Sequence, residues 1–203
     1  HPRSSKGGSS SSEGGRANAS RQYHQGPPPS AAASPSYHFE SNPFFAQQLQ
    51  AFRVWMRFGS VESSPPQQLP VVLQVLLSQT FRVPALLLLA EFVDQGPWAV
   101  NLALGVGVFP YFLKLLQSPG LKVRRLLVFI WTKIIAIDNS CQESLLRDNH
   151  HIHFASHALT DTSRVQKCFS LFVMARLCDR NRNGQRKIVF PKGEPAISTL
   201  FNS

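Results

Sequence analysis

The sequence predicts an all-α chain built from stacked helical repeats, and three observations carry that reading. Between Val106 and Ser156 a short turn ending in Phe109-Pro110 opens one helix and Ser118-Pro119-Gly120 closes it. A second, more apolar helix follows, and after a polar break the pattern begins again. Shifting the sequence by about 42 residues lays Phe112 on Phe154, Leu127 on Phe169, Trp131 on Val173 and Ala136 on Cys178. Strand signals are missing: there is no sustained period-two alternation and no Asn-Gly turn between β-branched runs.

The period lies in the armadillo/HEAT range of roughly 40–47 residues, so the expected architecture is an armadillo/HEAT-like α-solenoid fragment. A lone repeat cannot bury its apolar face, and about three are needed for independent stability. The chain therefore reads as part of a longer array. Its first residue, His1, also suggests a fragment or a processed product.

Residues 1–41 are mostly Ser, Gly, Ala, Pro and Gln, with almost nothing to bury, and are expected to be a disordered segment. From residue 42 helices follow one another. Asn42 can cap a first helix beginning at Pro43, where a missing N–H costs nothing, and Gly59 stops it. Ser64 opens a second helix whose stripe is Leu69, Val72, Leu73, Leu76 and Leu77. Pro84 starts a third, apolar nearly all round, which ends at Gly96. Pro97 starts a fourth and Pro110 a fifth. The sixth, 121–137, points Lys122, Arg124, Arg125 and Lys133 to water and Leu126, Leu127, Ile130 and Ile134 to the core. Ser140 caps a seventh; an eighth covers about 152–159 and a ninth about 163–178. The repeats thus occupy 42–178. Residues 179–203 read as a basic, poorly ordered or divergent tail, because the apolar spacing fades and Asn183-Gly184 reads as a loop.

The formal charge of +10 is uneven. Residues 164–203 hold eight bases against two acids, so most of the excess is C-terminal. A basic segment can attract nucleic acid or acidic proteins, although the aromatic interleaving of single-strand binders is missing. Three cysteines without CxxC spacing suggest reduced thiols rather than a disulfide framework. The apolar stretch 97–116 is broken by Gly105, Gly107 and Pro110, so direct membrane insertion is not expected.

A search for chemistry finds little. His150, His151, His153 and His157 cluster, and the last two share a helical face, but no Glu stands between them as in zinc proteases. Cys141 lies near a helix N-terminus without a local base. There is no GxSxG, P-loop or GxGxxG motif. No catalytic residue, metal or cofactor is expected.

The blocks QLPVVLQVLLSQ, GPWAV, FPYFLKLLQS and LLVFIWTKI are long and specific, and they resemble the raptor family at the start of its armadillo-type helical region. The resemblance is dense over about residues 42–149 and weaker to about 185. It implies a non-catalytic scaffold of TOR complex 1. Such a scaffold would bind TOR kinase, help recruit TOR substrates and engage Rag GTPases, in the cytoplasm or at lysosome or vacuole surfaces. The final residues IVFPKGEPAISTLFNS have no counterpart in it. As partner-binding candidates the sequence offers Lys114, Lys122, Arg124 and Arg125, a possible basic ridge; as solenoid core it offers Trp98, Phe112, Leu127 and Trp131. The alternative is an armadillo-like binder of nucleic acid or acidic proteins through the basic C-terminal segment.

Overall fold

Proline and capping residues punctuate the chain where the helices divide. The computed structural model describes residues 43–59 and 65–189. Among them lie ten α-helices and one short 3-10 helix, Arg147–Asn149. The first three are α1 (Pro43–Phe58), α2 (Leu69–Val75) and α3 (Arg82–Val93). Next come α4 (Pro97–Gly105), α5 (Phe109–Leu115) and α6 (Leu121–Ile137). Then follow α7 (Cys141–Leu146), α8 (His151–Thr160), α9 (Arg164–Cys178) and α10 (Arg182–Val189). No strand occurs among the described residues. The expectations for residues 1–41, the Asn42 and Ser64 caps and the last fourteen residues lie outside the described part.

The repeating unit is three helices: one short or kinked entry helix, a middle helix and a long one. Entry helices α4, α7 and α10 begin at Pro97, Cys141 and Arg182, and the long helices α3, α6 and α9 begin at Arg82, Leu121 and Arg164. The long helices pack in succession, α3 on α6 and α6 on α9, while α8 packs along α9. The sequence shows two copies; the structure adds the earlier α1–α3 and the first helix of a fourth. Three of the shifted pairs share their place inside. Phe112, Phe154, Trp131, Val173 and Leu127 are fully buried and Phe169 packs against the core. The pair Ala136 and Cys178 does not share a place, with Ala136 exposed and Cys178 half-buried.

Local corrections have physical causes. The third helix starts at Arg82, before Pro84, because proline in a first turn removes an N–H that has no helical acceptor. The Arg82 guanidinium also donates from Nε to the Leu76 carbonyl at 2.9 Å, closing the end of α2. Ser140 makes no side-chain cap. Asp138 does that work: its Oδ1 accepts the Ser140 N–H at 2.8 Å, and its other oxygen accepts the Ser140 hydroxyl.

The tail expected after Asp179 instead opens with α10. Asn181 Oδ1 accepts the Gly184 N–H at 2.9 Å at its start. Lys187 Nζ donates to the Leu146 carbonyl at 2.7 Å, satisfying the end of α7. Its buried face is only Gly184 and Ile188. Gly184 is needed because a Cβ there would lie 1.9 Å from the Leu177 carbonyl oxygen. A glycine used as a packing surface reads in sequence as a loop.

The apolar stretch across α4 and α5 bends by 91° between the two helices. Among the described residues no single helix is long and apolar enough to cross a membrane. Gly96 adopts φ 133°, a region closed to most side chains, and aims Pro97-Trp98 back at the core. Trp98 stands edge-on to Phe92 at 5.4 Å and 6.3 Å from Trp55, joining α1, α3 and α4 in an aromatic cluster.

Candidate functional site

A solenoid of this kind acts through the outward faces of its stacked helices. The groove across α3, α6 and α9 encloses about 280 Å³ and is floored by Leu87, Leu126 and Phe129. Phe129 stands edge-on to Phe169 of α9 at 5.6 Å, and Lys133 lies 5.3 Å above its ring centroid. Lys133 also pairs with Asp94 at the end of α3. One repeat later, Arg176 donates to Asn139 Oδ1 in the turn after α6 and from Nε to the Ile135 carbonyl at 3.4 Å. Helices α6 and α9 therefore each send a base back to the end of the previous long helix.

Arg125 carries the opposite link, forward. Its Nε and Nη2 donate to the two oxygens of Asp161 at 2.8 and 2.9 Å in a bidentate pair. The Asp161 side chain is 0% exposed and also accepts the Ser163 N–H at 2.7 Å. The Arg125 hydrogen bonds hold its carboxyl down at about 2, against the opposing pull of burial. His157 Nε2 lies 3.4 Å from the same carboxylate and 3.4 Å from Gln166 Oε1. One acid thus fastens α6, α8 and the start of α9.

The four candidate cations have separate fates. Lys114 and Lys122 are exposed at the end of α5 and the start of α6. Lys114 borders a second groove of about 320 Å³ with Leu77, Arg82 and Tyr111. Arg124 is half-buried, its Nε enclosed without a hydrogen-bond partner among the described residues. Arg125, expected to face water, is half-buried and pairs with Asp161. Lys133, also expected in water, is half-buried in its pair with Asp94. Of the four core candidates Phe112, Leu127 and Trp131 are fully buried and Trp98 is half-buried. Leu126, expected in the core, lies half-buried in the groove.

Cys141 and His157 are turned to structure. The Cys141 thiol is pushed up to about 12, first by burial and then by the neighbouring Asp138 carboxylate. His157 is turned inward to Asp161 and Gln166, while His153 stacks with His150 at 6.2 Å. Burial pushes His151 and His153 down. Among the described residues no three His, Cys, Asp or Glu side chains gather to hold a metal ion.

Sequence reasoning missed the aspartates that end each long helix, Asp94, Asp138 and Asp179. Their recurrence at the repeat spacing was visible. The Arg125–Asp161 pairing had no such signal, since only the packing of α6 on α9 brings those residues together.

Fold and surface together define an armadillo-like α-solenoid segment. No protein-family model matches the chain. It is 53% identical over 171 residues to the protein raptor homolog of Dictyostelium discoideum, covering 84% of this chain and 11% of that protein. Against the target of rapamycin complex 1 subunit mip1 of Schizosaccharomyces pombe it is 43% identical over 164 residues, covering 77% of this chain and 12% of that protein. The crystal structure of Chaetomium thermophilum Raptor superimposes with a TM-score of 0.70 at 39% identity, over 82% of this chain and 17% of that one. The chain belongs to the raptor family, matching a fragment of it. It spans about a tenth of the length of the curated relatives it matches.

Proposed function

We propose that the chain is a non-catalytic scaffold segment of a TOR complex 1 subunit. The carrying observation is the match, at 43% and 53% identity, to raptor proteins, one of them named as a subunit of that complex. The physical account is consistent with it. Cys141 is buried and Asp161 is paired, while the stacked helices offer grooves and exposed cations. In this reading TOR kinase docks on the array, with substrates and Rag GTPases as further partners. The contact passes through exposed Lys114 and Lys122, with Arg124 beside them. Arg125 keeps a positioning role through Asp161.

The test is capture of purified TOR kinase by the immobilised 203-residue chain. Binding that falls at least about tenfold in a Lys114→Glu/Lys122→Glu variant, whose substitutions touch only exposed positions, supports the reading. A folded chain that captures neither the kinase nor Rag GTPases overturns it.

Basic α10 sustains a second reading. Arg182 and Arg186 are exposed and form no ion pair among the described residues, a surface suited to acidic proteins or nucleic acid. Retention of anionic polymers that collapses with added salt would favour it.

A further inference from the structure

Helix α10 is lightly buried for an element that begins a repeat. Its buried residues are Gly184 and Ile188, and it packs on α9 and α7. Asn181, just before it, donates to Gln142 Oε1 at 3.2 Å and to Glu143 Oε1 at 2.9 Å. Near its other end Lys187 Nζ donates to the Leu146 carbonyl at 2.7 Å and to Asn149 Oδ1 at 3.3 Å. A helix with so small an apolar seat opens more readily than the core helices.

Lys187 thus comes down beside the head of α8, where His150 and His151 are both buried. The Nδ1 of each is enclosed with no hydrogen-bond partner among the described residues. A neutral imidazole can leave one nitrogen bare, but an imidazolium donates from both and needs an acceptor at each. The groups around His151 oppose a positive charge as well. Lys187 from α10 and His150 at the head of α8 both act against it. Among the described residues no carboxylate offsets them. On α7, Glu143 is taken by Asn181 and Asn183. Asp148 of the 3-10 turn is exposed, and Asp161 beyond α8 is paired with Arg125. The charges of α9 nearest in chain to these turns are bases: Arg164 is exposed, Lys167 half-buried, and Arg176 reaches back to α6. Burial first, then Lys187 and His150, accordingly hold His151 below its ordinary value of 6.5. With α10 opened the ring regains water and loses Lys187, so the opened form binds the proton more readily. Closure is therefore complete above that ordinary value and weakens as pH falls below it.

We propose that α10 is an acid-released latch: uptake of a proton by His151 beside Lys187 frees α10 from α7 and α9. Release uncovers the Leu146 carbonyl at the end of α7 and the Leu177 carbonyl on which Gly184 is seated. The first helix of the fourth repeat is then docked at neutral pH and loose in mild acid. This goes beyond the scaffold reading and does not rest on it.

Hydrogen exchange of the 203-residue chain, corrected for the intrinsic rate at each pH, tests the latch. Opening of α10 is expected to rise about tenfold from pH ~7.5 to pH ~5.5 while α6 keeps its protection. In His151→Gln, whose amide cannot take up the proton, the rise is expected to fall below about twofold. If that variant loses protection in α6 as well, Lys187→Met decides, since removing the opposing charge should shrink the rise. Equal protection of α10 at the two pH values in the native chain overturns the proposal. So does a rise shared by α6, or one undiminished in a folded His151→Gln or in Lys187→Met.

Discussion

Helices α6 and α9 occupy the same place in successive repeats, yet they meet different surroundings. Helix α6 is packed by α3 on one side and α9 on the other. Its only strongly exposed large apolar residues, Leu121 and Ile137, lie at its two ends. Helix α9 is packed by α6, α8 and α10 but exposes Val165, Leu171 and Phe172 along its length. The difference lies in position in the array, not in the kind of helix. Apolar pattern fixes how much surface a solenoid helix must bury, and its neighbours decide how much it does bury.

That comparison can be broken first at the core. Trp131, fully buried in α6 and edge-on to Phe109 at 5.2 Å, is irreplaceable by a small residue. Trp131→Ala is expected to cost about 3–5 kcal/mol in urea unfolding. Leu171→Ala on the bare side of α9 is expected to cost under about 1 kcal/mol. Equal losses would mean that the two helices are equally enclosed.

A smaller and more local effect is expected at Gly184. Its Cβ in Gly184→Ala meets backbone, so α10 must move from α9, costing about 1–3 kcal/mol. Hydrogen exchange should then quicken in α10 while α3 and α6 keep their protection. Unchanged exchange in α10 would count against its packing role.

The acid link between the repeats gives a pH signature. The folded Asp161 carboxyl is held at about 2, below its ordinary value near 4. Its contribution is therefore complete above roughly pH 4 and is lost as pH falls toward 2. Stability of the native chain should decline across that window, and Asp161→Asn should flatten this part of the decline while lowering stability at neutral pH. A parallel curve for the variant would show that the pair does not couple α6 to α9.

The smallest effect sharpens the comparison of the two backward links. Lys133 reaches Asp94, in a partly exposed pair worth about 0–1 kcal/mol, and otherwise the Phe129 ring of its own helix. Arg176 reaches Asn139, the Ile135 carbonyl and Asp179. Arg176→Gln should therefore lower the unfolding midpoint more than Lys133→Gln.

Much of the fold was legible because it is written in local terms. Pro43, Pro97 and Pro110 marked helix starts, and the limits of α6 follow from an apolar stripe bounded by Gly120 and Asp138. Three-helix periodicity was harder to see, since the short α7 breaks into a 3-10 turn where Asp148 takes a positive φ. Helix α10 escaped because its inward face is a glycine and one isoleucine. The candidate surface was less legible than the fold. Lys114 and Lys122 are exposed as their charge suggests, but nothing near Arg125 in sequence reveals an acid 36 residues away. Cross-repeat pairs depend on stacking, which sequence spacing does not encode.

Hydrogen exchange of the 203-residue chain, read helix by helix, tests the stacked array most directly. The account predicts the slowest exchange in α6, covered on both sides, with α3 close behind and α9 faster despite its similar length. Exchange in α9 as slow as in α6, or uniformly fast exchange across α3, α6 and α9, would contradict it.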